Sequence, residues 1–152
     1  MTRINLLKPE FLCDQHLLAE HRELTRIPNS LLSGKYSPTG KHIPTQYVLG
    51  TGHVTFFLNK IDFLFERYSL LHQECLNRNF AVTWKFPSLL KISKVNQQYE
   101  MYVPTKQDLS LNKARLIERT PRKVLFHHNE ITQLQYIQMI MNEKVFTNFS
   151  PF

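Results

Sequence analysis

On a helical wheel at ~100° per residue, His16, Glu20 and Glu23 fall within one sector about 60° wide. Leu12 and Ala19 border that sector on one side, Cys13 and Leu24 on the other. A polar stripe between apolar flanks is not a plain solvent face, because burying carboxylates is unfavourable unless something pairs with them. Cations are at hand in Arg22 and Arg26 on the same helix and in Arg3 upstream. Three chemistries fit the pattern. The stripe could be one face of an ion-paired amphipathic helix, or a general acid/base site built on a carboxylate. It could also hold a metal through His16 and Glu20, one turn apart, although no second cluster at ligand spacing accompanies them.

The N-terminus offers a nucleophile. If Met1 is trimmed, as a small second residue permits, the chain begins with the α-amine of Thr2. Its reference pKa near ~7.8, against ~10.4 for lysine, leaves far more of it neutral at pH 7. Such an amine can attack an electrophilic sugar carbon or a carbonyl and form an imine without a specially buried lysine. Any protein beginning Met-Thr carries the same group, so this feature gains meaning only from its surroundings.

The elements that must position these groups are readable from punctuation and period. Pro9 suits a first helical turn and Pro28 should stop one, so a first helix is expected between them. Residues 28 to 50 carry Pro28, Ser30, Gly34, Pro38, Gly40 and Pro44 and read as a loop. From Gly52 to about Arg78, Val54, Phe57, Leu58, Ile61, Leu64, Phe65, Tyr68, Leu71 and Cys75 recur at steps of three and four. This predicts a long central helix, roughly 40 Å at ~1.5 Å per residue. Residues 80 to 104, with Trp84, Phe86, Tyr99 and Tyr102, read as an irregular aromatic crossover. Thr105 and Asp108 form a capping pattern opening a third helix that ends before Pro121. A further C-terminal helix is expected from Asn129, with Ile131, Leu134, Ile137 and Met141 as its apolar stripe. The expected fold is all-α: a single compact domain of three main helices, the central one long, plus the C-terminal helix.

The chain has 152 residues, 42% of them hydrophobic and 20% charged, enough for one domain with a real core. No run approaches the ~20 apolar residues of a membrane span. The opening Met1-Thr2-Arg3-Ile4-Asn5 lacks the apolar stretch of a signal peptide, so a cytoplasmic location is expected. Cys13 and Cys75 are too few for a disulfide framework and are expected as buried thiols. Nineteen Lys and Arg against twelve Asp and Glu give +7, which implies an acidic partner. The charge is uneven. Leu24 to Ile61 has no acid while Arg26, Lys35, Lys41 and Lys60 are basic, and Thr105 to His128 sets Lys106, Lys113, Arg115, Arg119, Arg122 and Lys123 against Asp108 and Glu118. Together the two stretches point to nucleic acid.

At this point a family resemblance emerges. The opening Thr2-Arg3-Ile4-Asn5-Leu6 and the string Asp14-Gln15-His16-Leu17-Leu18-Ala19-Glu20-His21-Arg22-Glu23-Leu24 resemble, without a gap, the pyrimidine-dimer DNA glycosylase/AP lyases of the phage endonuclease V type. Leu49-Gly50-Thr51-Gly52-His53-Val54-Thr55-Phe56-Phe57 with Glu74-Cys75-Leu76 is similar to that family's central helix, and Tyr102-Val103-Pro104 with Ala114-Arg115-Leu116 to its third. The likeness covers roughly 1–26, 43–80 and 99–119.

The resemblance implies that the Thr2 amine attacks C1′ of a damaged nucleotide and that Glu23 assists base loss and then takes a proton from C2′. It implies that Arg3, His16, Arg22 and Arg26 hold phosphates and orient the lesion, while His53 either completes the site or serves as a structural helix-start histidine. Arg115, Arg119, Arg122 and Lys123 are the further expected DNA contacts. The implied partner is double-stranded DNA carrying UV photoproducts or abasic sites, met by a monomer without metal or cofactor. Two other readings stay open: a non-catalytic helical DNA-binding module of the same fold, and a metal-dependent hydrolase using His16, Glu20 and Glu23. After the third helix the family's aromatic and basic cluster is replaced by Arg122-Lys123-Val124-Leu125-Phe126-His127-His128. The expected division is therefore a glycosylase-like helical domain over 1–128 and a helical extension over 129–152 packed on it.

Overall fold

The computed structural model describes residues 3–36, 42–95 and 100–143. After a 3-10 turn at Pro9–Phe11 come α1 (Asp14–Leu24), α2 (Arg26–Leu32), α3 (His53–Phe56), α4 (Ile61–Asn77), α5 (Leu89–Val95) and α6 (Lys106–Glu118). An antiparallel hairpin of β1 (Val124–Phe126) and β2 (Asn129–Ile131) follows, then α7 (Gln133–Met141). The core lies where α1 crosses α4, with Leu17, Leu24, Leu64, Tyr68 and Leu71 all buried. Cys13 and Cys75 are buried there as free thiols, and burial pushes Cys75 up to about 11. The all-α class holds, with the small hairpin as an addition.

Several boundaries differ from expectation. Pro28 does not end the first helix. It is the third residue of α2, where a missing N–H breaks no intrahelical bond. The helix runs on to Leu32 and stops before Gly34, whose φ of +76° suits the left-handed residue after a helix end. The long central helix is broken into α3 and α4. Lys60 leaves helical geometry at φ −121°, and its buried ammonium turns back to the carbonyl of Phe56 at 2.8 Å and Asn59 Oδ1 at 2.9 Å. The break lets Phe57 and Leu58 both be buried, which one continuous face could not do for so wide an apolar spread. The crossover holds the unforeseen α5, which packs on α2 through buried Ile92. Lys41, with Pro38 and Gly40 of the expected loop and Tyr99 of the crossover, lies outside the described residues, as do residues 144–152.

Arg122 to His128, followed from Asn129, does not lead straight into a helix. His127 and His128 take positive φ values of 50° and 68° at the hairpin turn, and the Asp14 carboxylate accepts both their N–H groups at 3.1 and 2.8 Å. Arg78, itself wholly buried, donates to Asp14 at 2.9 Å and to the carbonyl of Leu12 at 2.7 Å, and His128 Nε2 meets the carbonyl of Arg78. The expected stripe of α7 is also wrong. Leu134 and Met141 are 63% and 64% exposed, Ile131 belongs to β2, and Ile137 is half-buried. Tyr136 and Ile140 point inward instead. Apolar side chains lie on both faces of this short helix, so the hairpin that precedes it, not its period, sets its rotation.

Candidate active site

The segment from Arg3 to Leu7 joins no sheet, so its backbone groups must find side-chain partners. They come from four helices and from Tyr47 in the loop before α3. Ile4 N–H donates to His53 Nε2 at 2.9 Å, and His53 Nδ1 donates to the carbonyl of Val48 at 2.8 Å, which fixes this buried ring as the neutral Nδ1–H tautomer. Burial lowers its pKa accordingly. Gly52 opens α3 at φ +92°, and a side chain there would press on Pro44 and Val48 at 3.3 Å, so glycine brings His53 under the N-terminal segment. Tyr47 Oη donates to the carbonyl of Ile4 at 3.0 Å. Asn112 on α6 accepts from Leu6 and Leu7 N–H at 2.7 and 3.1 Å and donates to Asn5 Oδ1 at 2.8 Å.

Glu20 completes this harness. Its carboxylate takes Asn5 N–H and Asn5 Nδ2 at 3.2 and 2.8 Å, and Arg67 Nε and Nη2 at 2.7 and 2.9 Å. Arg67 Nη1 reaches on to the carbonyl of Leu7 at 2.6 Å. Glu20 therefore follows the ion-paired reading of the helix, with Arg67 as its partner.

Glu23, one turn on, faces outward into a cleft of about 200 Å³. Arg3, Arg115 and Arg119 line that cleft with Asn5, His16, Ala19, Glu20, Glu23 and Leu116. The Glu23 side chain is 18% exposed, and Arg22, itself 69% exposed, comes within 3.7 Å of it. Arg3 Nε and Arg115 Nε are buried without a hydrogen-bond partner among the described residues. Burial, then the Arg119 and Arg115 charges, lower the Arg3 guanidinium from its usual range. Unmade donors of this kind cost about 1–3 kcal/mol each, a cost that acceptor oxygens entering the cleft would relieve. A carboxylate set among such donors can move a proton beside a bound anion.

His16 borders the same cleft with both nitrogens engaged. Nε2 faces the carbonyl of Arg119 at 3.0 Å, so it carries the proton, and Nδ1 at 2.8 Å from Tyr136 Oη accepts. Burial lowers its pKa. Among the described residues no group of three or more His, Cys, Asp or Glu could hold a metal ion.

The structure thus brings Arg3, His16, Glu23, Arg115 and Arg119 together, with Arg22 at the rim. Arg26 is exposed at the start of α2, and His53 lies beneath the N-terminal segment. Arg122 and Lys123 are exposed beyond α6 and do not line the cleft, Lys123 lying 3.9 Å from Glu130. Thr2 lies outside the described residues, directly before Arg3 in the chain. Sequence reasoning missed Asn5, Arg67, Asn112 and Tyr136. Arg67, Asn112 and Tyr136 each act across more than 40 residues of chain and Asn5 reaches Glu20 across 15, and no local pattern marks such partners.

A helical fold carrying a cationic cleft with a carboxylate in it is suited to a polyanionic ligand. Residues 1–87 match the family described as pyrimidine dimer DNA glycosylase, and the chain belongs to that family. Among the described residues no helix is long and apolar enough to cross a membrane.

Proposed function

We propose that this DNA glycosylase excises the 5′ base of cyclobutane pyrimidine dimers in duplex DNA and then nicks the strand by β-elimination. The observation that carries this reading is the cleft itself: Glu23 opens into a space walled by Arg3, Arg115 and Arg119, two of which hold buried donors without a partner among the described residues. Acceptor oxygens of a phosphodiester answer those donors, and the carboxylate then stands beside the sugar.

With Met1 removed, the Thr2 α-amine is the nucleophile. Its nitrogen bonds to C1′ as the glycosidic bond breaks, and the departing base takes up a proton. Opening of the sugar ring between C1′ and its ring oxygen yields the imine. Glu23 takes a proton from C2′, the electron pair forms the C2′–C3′ double bond, and the 3′ phosphate leaves. Water hydrolyses the imine and frees the amine. Arg22 and Arg26, exposed along the α1–α2 edge, hold flanking phosphates, as do Arg122 and Lys123 farther off. His53 fastens the segment that carries the nucleophile.

Incubation with a duplex holding one defined dimer, with and without a chelator, tests this. Scission at the dimer in both arms is expected. An intact dimer strand, or scission only without chelator, overturns it.

A further inference from the structure

We propose that Tyr136 is a positioning residue of the cleft: through His16 its hydroxyl fastens the end of α6, with Arg115 and Arg119, to the helix that carries Glu23. The bonding order is set by chemistry. The Arg119 carbonyl can only accept, so His16 Nε2 donates to it at 3.0 Å. His16 Nδ1 then accepts from the Tyr136 hydroxyl at 2.8 Å, whose oxygen in turn accepts from Cys13 N–H at 3.1 Å. The chain of bonds thus runs from the start of α1 through α7 to the residue that ends α6.

Each link answers a local need. Cys13 precedes α1 and offers one of the N–H groups that no helical carbonyl takes, while Arg119 ends α6 and has a carbonyl in the corresponding state. The Tyr136 ring is wholly buried, so its hydroxyl must be paired inside the protein. With both nitrogens occupied, His16 is a strut of the cleft wall. The groups around it are Arg3, Glu20, Glu23 and Arg115 of the cleft, with Cys13 behind. Freed of Tyr136, the ring is held at Nε2 alone and can turn, which loosens its tie to the end of α6.

The functional half of this inference rests on the glycosylase reading above, so the experiment reads tautomer and activity separately. Nitrogen-15 spectra of the His16 ring are recorded for wild type, Tyr136→Phe and Ile140→Ala, with single-turnover cleavage of the dimer duplex. Ile140→Ala removes buried packing from the same helix and touches none of these bonds. Wild type is expected to show a single Nε2–H tautomer. Tyr136→Phe should keep the proton on Nε2, move the Nδ1 resonance to that of a nitrogen accepting no hydrogen bond, and cleave ~10- to 100-fold more slowly at saturating DNA, the cost of a small misplacement relayed from a distance. Ile140→Ala should keep the tautomer and the rate while melting earlier.

Cleavage by Tyr136→Phe at the wild-type rate overturns the proposal. So does an unmoved His16 Nδ1 resonance in Tyr136→Phe, or the same slowing in Ile140→Ala. Should Tyr136→Phe fail to fold, Tyr136→3-fluorotyrosine keeps the shape and strengthens the donor. It should move the His16 Nδ1 resonance, and an unmoved resonance overturns the contact. If wild type leaves the duplex intact, the function proposed above fails, while the spectra still decide whether Tyr136 holds His16.

Discussion

Arginine serves opposite ends in two regions of this molecule. Between α1 and α4, every guanidinium nitrogen of Arg67 and Arg78 has a partner: Arg67 bonds Glu20 and the Leu7 carbonyl, and Arg78 bonds Asp14, Glu74 and the carbonyls of Pro9, Glu10 and Leu12. At the cleft, Arg3 and Arg115 keep buried Nε donors with no partner among the described residues. The difference separates charge that closes the fold from charge held ready for a ligand. A buried arginine with every nitrogen partnered locks chain segments together, and one with an idle donor can take an oxygen from outside. The same division runs through the carboxylates, for Glu20 is bound on both oxygens while Glu23, three residues on, opens to the cleft.

The sharpest way to break this comparison is to neutralise the two glutamates in turn. Glu23→Gln keeps size but cannot take a proton, so cleavage should fall ~10²–10⁴-fold with lesion binding and urea stability retained. Glu20→Gln should do the reverse, lowering stability while the folded fraction cleaves. Near-normal cleavage by Glu23→Gln would merge the two residues into one structural class.

Next in size, Arg67→Met strips Glu20 of its counter-charge in a closed site. Breaking a buried pair in this way costs about 3–5 kcal/mol, readable in urea unfolding. Glu20→Met in the same background should recover much of that loss, because the stranded charge is the penalty. The equivalent change at the cleft, Arg115→Ala, should cost little stability and instead reduce the salt dependence of DNA binding. The log–log slope should fall by about 0.9 for each phosphate contact removed. An unchanged slope in Arg115→Ala, or a wild-type slope near zero, contradicts the anion-binding role.

A smaller effect follows from His21, buried against Tyr68 and His72 on the far side of α1. Burial, then the His72 and Lys85 charges, lower it to about 4, whereas the unfolded imidazole protonates near ~6.5. Its stabilising contribution is whole above that value, and between there and about 4 the unfolded chain binds more protons, so stability falls as pH falls. His21→Phe should flatten that part of the stability profile. An equally steep profile in the variant assigns the fall to other groups.

The features legible in sequence were local. Thr105 and Asp108 do form both bonds of a capping box, and α6 ends before Pro121, because caps and prolines act within one turn. The polar stripe of α1 was legible as a stripe, yet its period could not separate Glu20 from Glu23. What separates them is Arg67, 47 residues away on α4. Pro28 misled because proline is harmless in the first turn of a second helix, and the central helix broke because Lys60 could satisfy the end of α3 with its own side chain. The stripe of α7 failed because Tyr136, amphipathic and aromatic, gains more from burial beside His16 than Leu134 does.

The central claim, that an N-terminal amine attacks a sugar carbon within this cleft, is tested most directly by sodium borohydride. Reduction during turnover of a dimer duplex should yield a covalent protein–DNA adduct. Peptide mapping should place it on Thr2, and acetylation of the α-amine should abolish adduct and scission together, since an amide nitrogen is no nucleophile. An adduct mapped to any lysine, or scission undiminished after acetylation, would contradict the account.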